Sequence, residues 1–248
     1  MKIEVEKVLY ADVESLRDLY RQEANCQIVK DSALRRVLAD PYLAKVDGAV
    51  AGYAAVWNKI DPDRLTEFYT IPRFRAQALP IFREILAASG AKTIGAQTNM
   101  PLELLMLLDC ATNITTESIL FHDAFTTNLT CSDGALRRIT KSDDTLVFAD
   151  GLENGDDWGV EADGVIAAGG GALYHYNPPY GDIYMKVSES YRRRGYGSFL
   201  VQEIKRICYE NGKKPAARCN PGNIASRLTL QKAGFLPCAR LLVGEVPQ

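Results

Sequence analysis

Apolar positions recur along this chain in two rhythms, and the same succession of rhythms occurs twice. From Tyr42 to Ala55 (YLAKVDGAVAGYAA) and from Trp158 to Ala172 (WGVEADGVIAAGGGA), short β-prone runs flank an Asp-Gly pair, Asp47-Gly48 or Asp163-Gly164. Asp-Gly supplies the positive φ angles of a tight turn, so each segment reads as a β-hairpin. Third strands follow at Leu65–Ile71 and Asp182–Val187. The apolar period then changes from two to about 3.6. Pro80–Ser89 gathers Ile81, Phe82, Ile85 and Leu86 on one helical face; Ser198–Asn211 gathers Leu200, Val201, Ile204, Ile207 and Cys208. Gly90 and Gly212 stand where a helix ends in the left-handed conformation. Strands near Lys92–Gln97 and Ala216–Cys219 come next, and Asn99 and Asn223 each open or precede another helix. Each copy closes with a strand, Ser118–His122 and Leu241–Val243.

Six elements in one order, met twice, predict two homologous α/β halves with a boundary near 123–145; the domains are drawn as 1–124 and 125–248. The first half carries an extra helical region, Val13–Ala39, with Leu16, Leu19 and Tyr20 on one face. Asn154–Asp157 reads as a polar loop inside the second half.

Composition narrows the function without choosing it. The chain has 248 residues, 47% hydrophobic and 24% charged, an ordinary globular composition. Its net charge of -2 argues against a broad nucleic-acid footprint. No uninterrupted apolar run approaches the roughly 20 residues of a membrane span, and the N-terminus lacks the apolar core of a signal peptide. Six cysteines without CxxC spacing and two histidines far apart argue against a zinc site, and no metal is expected. Buried reduced thiols and a cytoplasmic location are expected.

The chemistry concentrates at 187–207, VSESYRRRGYGSFLVQEIKRI. A strand ends at Val187, and Arg192-x-x-Gly195-x-Gly197 leads directly into a helix. Glycines let successive N–H groups converge, and a helix N-terminus adds unpaired N–H groups and partial positive charge. Together they can cradle a phosphate, with Arg192, Arg193 and Arg194 adding side-chain charge. The bland alternative is a solvated surface turn. There is no P-loop and no dinucleotide fingerprint.

The segment resembles the acetyl-CoA-binding signature of the GNAT superfamily of N-acyltransferases, V-x-P-x-x-R/Q-x-x-G-x-G/A between strand and helix. Only the Pro position departs, held here by Glu189. A second family signature is matched by Asn223-Ile224-Ala225-Ser226 through Lys232-Ala233-Gly234-Phe235. The first half departs further: at the matching turn it reads Arg73-Phe74-Arg75-Ala76-Gln77-Ala78, with both glycines replaced by alanine and Pro72 and Pro80 flanking. It is read as a degenerate half that has lost cofactor binding; the rival reading has both halves binding.

The resemblance implies two GNAT-like mixed-sheet domains, each a mostly antiparallel sheet flanked by helices. It implies an acetyl-CoA-dependent N-acetyltransferase acting on a primary amine of a small molecule or peptide. Acetyl-CoA would lie beside Met185 and Val187, its pyrophosphate on the amides of 193–198. The implied cofactor-binding set is Met185, Val187, Arg192, Arg193, Arg194, Gly195, Tyr196, Gly197, Ser198, Asn223 and Ser226. The family often places a Tyr on the second-motif helix as the acid; here that position is Leu230. Ser226 lies four residues earlier and could bond the sulfur, or could simply be small. His175, Asp182 and Tyr184 are candidate bases, with a water chain as the alternative. A non-catalytic acyl-CoA-binding regulatory module and a protein-interaction domain remain as rival functions. No nucleic-acid or membrane partner is expected, and exposed sheet edges are compatible with a homodimer.

Overall fold

The structure, a computed structural model, describes residues 1–23, 32–140, 143, 157–174 and 178–247. Its first elements are β1 (Ile3–Lys7), α1 (Tyr10–Glu23), α2 (Ser32–Arg35), β2 (Ala39–Val46), β3 (Ala49–Trp57) and β4 (Arg64–Thr70). A 3-10 segment (Pro72–Gln77) leads into α3 (Ala78–Ser89), β5 (Thr93–Gln97), α4 (Pro101–Cys110) and β6 (Thr112–Asp123). Then come β7 (Ala135–Arg138), β8 (Trp158–Ala162), β9 (Val165–Leu173) and β10 (Tyr180–Val187). A short 3-10 turn (Glu189–Tyr191) precedes α5 (Tyr196–Glu210), β11 (Lys214–Cys219), α6 (Ile224–Lys232) and β12 (Phe235–Glu245).

The chain forms two compact units. The first takes the described residues before Ile119 together with the segment from Ala239 onward; the second is built on Ile119–Cys238. In the first, the strands run β1-β2-β3-β4-β5-β12, with β4 and β5 parallel and the other neighbouring pairs antiparallel. The second repeats the plan as β6-β11-β10-β9-β8-β7, with β10 and β11 parallel. A parallel pair needs a crossover, which α3 and α5 provide.

The closing strands correct the sequence reading. Ile119–His122 of β6 pairs with β11, and Leu241–Glu245 of β12 pairs with β5. Each unit therefore completes its sheet with a strand from the other half of the sequence, and a cut between 124 and 125 does not follow the compact units. Main-chain ladders carry little residue identity, so two similar closing strands give no local sign of which edge each will fill.

The hairpin turns have the expected geometry: φ is 47° and 80° at Asp47 and Gly48, and 51° and 75° at Asp163 and Gly164. In the first unit Ile81, Phe82 and Ile85 of α3 are buried, and the Phe82 ring meets Phe68 of β4 edge-on at 4.8 Å. In the second, Leu200, Val201, Ile204 and Cys208 of α5 join Ile183 and Val160 in the core. Each such side chain stabilises by about 1.5–3 kcal/mol.

The predicted helical region Val13–Ala39 is not helical to its end: α2 closes at Arg35, and Ala39 already belongs to β2. The buried face of α1 is Val13, Leu16, Arg17 and Tyr20, while Leu19 is 42% exposed. A charged residue displaces Leu19 because Arg17 is fully matched. Its guanidinium donates to Glu67 of β4 through Nε (3.0 Å) and Nη2 (2.8 Å), and Tyr53 donates to the same carboxylate at 2.9 Å. Breaking such a buried pair on one side costs about 3–5 kcal/mol.

Candidate functional site

The second unit opens a slot between its two parallel strands. The β10–β11 ladder runs from Tyr180↔Lys214 to Ile183↔Ala217 and stops, although β10 continues to Val187 and β11 to Cys219. On its other side β10 stays paired with β9 through Val187↔Ala168, and Ser188 N–H donates to Ala167 O at 2.9 Å. Hydrogen-bonding groups alternate sides along a strand. Counting back from Ser188, the N–H and C=O of Val187 and Met185 face away from β9, into the gap that β11 has left.

The turn at the end of β10 has the backbone that the motif requires. Arg193 and Gly195 have φ of 64° and 90°. A Cβ on Gly195 would meet nothing within 4 Å, so its conformation, not crowding, demands glycine. Helix α5 begins with Phe199 N–H on Gly195 O at 3.0 Å, and Gly195 has no side chain to cap it. Helix geometry leaves the N–H groups of Tyr196, Gly197 and Ser198 without intrahelical acceptors. Arg192, Arg193 and Arg194 are exposed. Arg192 pairs with Glu189 at 3.3 Å, and Arg194 lies over the Tyr191 ring at 4.9 Å.

Two members of the expected cofactor-binding set also have packing roles. A Cβ on Gly197 would stand 3.1 Å from Val187 Cγ2 and 3.3 Å from Thr229 Cγ2, so this glycine lets α5 approach β10 and α6. Tyr196 turns its ring into the core, and its hydroxyl donates to Asp133 at 2.8 Å. Burial first, and the Asp133 bond second, raise its pKa. Only the main chain of Tyr196 remains for a ligand.

Helix α6 supplies the second motif. The exposed Asn223 accepts from Ser226 N–H at 3.0 Å and so caps the helix. Ser226 shares a helical face with Thr229 and Leu230, three and four residues on. Leu230 is 3% exposed in the core. Cys219, at the end of β11, is buried; burial pushes its thiol pKa up against the pull of Arg227.

The candidate bases separate by strand alternation. Ile183 belongs to the core that α5 covers, and Met185 and Val187 pack against it, which turns Asp182 and Tyr184 to the opposite face of β10. Asp182 is buried and accepts an ion pair from Arg218 Nε at 3.1 Å. Tyr184 donates its hydroxyl to Asp157, a carboxylate only 1% exposed. Gly171 leaves space for that pair: a Cβ on it would lie 2.7 Å from the Tyr184 hydroxyl and 2.8 Å from Asp157 Oδ1. Sequence reasoning placed Asp157 in a polar loop and missed it. It lies 27 residues before Tyr184, and no local pattern joins the two. His175 lies outside the described residues.

In the first unit the matching turn is the 3-10 segment Pro72–Gln77, running directly into α3. None of its residues has positive φ. Among the described residues no group of three or more His, Cys, Asp or Glu could hold a metal ion, and no helix is long and apolar enough to cross a membrane.

Two family models match the chain in tandem. An acetyltransferase (GNAT) domain model matches residues 11–124, and the acetyltransferase (GNAT) family model matches residues 123–235. Solved structures share the fold at low identity. A GNAT-family acetyltransferase from Colwellia psychrerythraea is 18% identical with a TM-score of 0.80, each chain covered to 100%. A GCN5-related N-acetyltransferase from Sphaerobacter thermophilus is 15% identical with a TM-score of 0.65, over 99% of this chain and 96% of that one. A tandem GNAT protein from the clavulanic acid biosynthesis pathway is 13% identical with a TM-score of 0.60, over 100% and 99%. No curated protein sequence matches the chain.

Proposed function

Because the chain belongs to the GNAT acetyltransferase family, with two of its domains in tandem, we propose that its second unit is an acetyl-CoA-dependent N-acetyltransferase. It moves the acetyl group to a primary amine of a small molecule or peptide by direct attack on the thioester. The observation that carries this reading is the parting of β10 from β11 after Ile183, with the Arg193–Gly195 turn at the slot's end. These residues fit the ligand. Slot-facing main-chain groups of Met185 and Val187 suit an extended, amide-bearing arm. The amides of the turn and of α5, with Arg192 to Arg194 beside them, suit a pyrophosphate. Bound there, acetyl-CoA supplies the acyl group as a thioester.

The chain's own residues then have three tasks. The Met185 amide donates to the acyl carbonyl oxygen as negative charge develops on it; one such donor is worth about 3–4 kcal/mol. The slot holds the amine against the thioester carbon, and proximity provides much of the rate. The nitrogen lone pair forms the C–N bond, the C–S bond breaks with its electrons on sulfur, and the amine proton must be removed. That proton is assigned to Tyr184, whose own proton passes to Asp157. Asp182 is engaged by Arg218 instead. A thiol of pKa near 8.5 leaves without a strong acid, which suits a site where Leu230 stands in place of a hydroxyl. The described cysteines are free thiols, which suits a reducing, cytoplasmic setting.

Calorimetric titration with acetyl-CoA tests the reading, followed by thiol release across a panel of amines. One equivalent bound per chain and thiol release with some amine are expected. Absence of binding refutes the assignment. The buried Leu230 favours a second reading, a non-catalytic acyl-CoA-binding module, which binds but releases no thiol with any amine.

A further inference from the structure

The two units can be compared residue by residue, because each carries the same marker bond. Ile71 N–H donates to Ala51 O at 2.9 Å in the first, and Ser188 N–H donates to Ala167 O at 2.9 Å in the second. Counting three residues back from each marker aligns Phe68 with Met185. The β4–β5 ladder also stops early, after Leu65↔Ile94, although β4 continues to Thr70. The first unit therefore has a slot of its own, and the Phe68 amide faces into it as the Met185 amide does in the second.

The helices that follow align as well. Glu103 is the third residue of α4, and Ser226 is the third residue of α6. Met106 and Leu107 follow Glu103 at the spacing at which Thr229 and Leu230 follow Ser226, and Leu107 and Leu230 are both core residues. At this shared position the units differ. The Phe68 N–H donates to Glu103 Oε1 at 3.2 Å, and the Tyr20 hydroxyl donates to the same oxygen at 2.9 Å. Glu103 is 4% exposed. Burial raises its pKa to about 8 against the opposing pull of those two donors, so it is largely un-ionised at neutral pH. A neutral carboxyl offers an acceptor oxygen like that of an acyl carbonyl.

We infer that the third residue of this helix decides which slot admits an acyl thioester: Glu103 closes the first by occupying the acyl-carbonyl position with its own side chain, and Ser226 leaves the second open. The loss of glycines from the first unit's turn is a separate defect, at the phosphate end. The inference rests on the proposed binding of acetyl-CoA to the second unit, but the first unit tests it independently.

The probe for the first unit is S-acetylpantetheine, which carries the thioester without the nucleotide and asks nothing of the degenerate turn. With 15N-phenylalanine labelling the protein gives eight amide signals, and Phe68 is assigned by Phe68→Leu. In the parent protein the Phe68 signal should not move at saturating probe; in Glu103→Ser it should shift. A parent signal that moves, or a folded Glu103→Ser whose signal does not, overturns the inference. Should Glu103→Ser fail to fold, Ser226→Glu decides. Its backbone is secure, since glutamate suits the first turn of a helix and Asn223 N–H is already bonded to Asn220 O at 2.9 Å. The new carboxyl is thus not drawn back onto the cap. Ser226→Glu should weaken acetyl-CoA binding about a hundredfold with an unchanged melting temperature. Unchanged affinity refutes the inference. A parent protein that binds no acetyl-CoA sinks the proposed function alone, because the Phe68 readout still stands.

Discussion

Replacing Glu103 with Gln should make the protein more stable at neutral and alkaline pH, and the size of the effect follows from the burial of this carboxyl. Its pKa rises from an ordinary 4.5 to about 8 in the folded protein. Between those values the folded state keeps a proton that the unfolded chain has released. Its stabilising contribution is complete below the unfolded value and is lost as pH rises through the folded one, at about 1.4 kcal/mol per pH unit. The loss amounts to about 3 kcal/mol by pH 7 and about 5 kcal/mol across the window. Glutamine cannot ionise and keeps the acceptor oxygen for Phe68 and Tyr20. The groups facing Glu103 are Tyr20 from α1 and Glu67 from β4, the latter paired with Arg17. Both proteins contain them, but only the parent has a Glu103 charge for them to act on, and their effects are already part of its raised pKa. The chain has two tryptophans. In a Trp158→Phe background, Trp57 of the buried strand β3 reports the first unit alone. Urea unfolding followed by its fluorescence at pH 5, 6, 7 and 8 gives the comparison. The stability of Glu103→Gln relative to the parent should climb by about 1.4 kcal/mol per pH unit. Parallel pH profiles would show that the carboxyl is not held un-ionised and would falsify the reasoning.

Gly195→Ala should cost about 1–2 kcal/mol, because its φ of 90° is left-handed while its Cβ meets nothing, and it should weaken acetyl-CoA binding; calorimetric titration beside thermal melting checks both. Arg17→Met should destabilise the first unit by about 3–5 kcal/mol by leaving Glu67 buried and without its cation, and adding Glu67→Gln should recover a large part; a double-mutant cycle in urea measures it. Tyr184→Phe should lower kcat by about 10²–10⁴-fold with unchanged acetyl-CoA affinity, since it removes a proton carrier and no cradle group; unchanged turnover with an accepted amine would move the proton transfer elsewhere.

The local patterns were legible in the sequence because their causes are local. Asp-Gly pairs fix hairpin turns at Asp47 and Asp163, and the 3.6-residue period fixes the buried faces of α3 and α5. The glycine before α5 and the asparagine before α6 likewise mark a left-handed turn and a cap that chain neighbours complete. The repeat itself, and the poverty of the first unit's turn, could be read from residue order alone. Leu19 was misjudged because helical periodicity counts apolar residues and cannot know that Arg17 meets Glu67, 50 positions on.

Long-range partners were decided only by the tertiary structure. Nothing near Ser118 or Leu241 tells a closing strand which sheet edge it will meet, since main-chain ladders accept any register-compatible strand; the exchange of β6 and β12 emerges when both edges form. The motif gives no sign that Gly197 also packs against Val187 and Thr229, which come from other elements. Asp157 gained a role only when β8 and β10 were placed in one sheet. Glu103 reads in sequence as an ordinary first-turn glutamate. Its meaning depends on a strand whose neighbour has turned away, leaving the Phe68 amide for its carboxyl to cover.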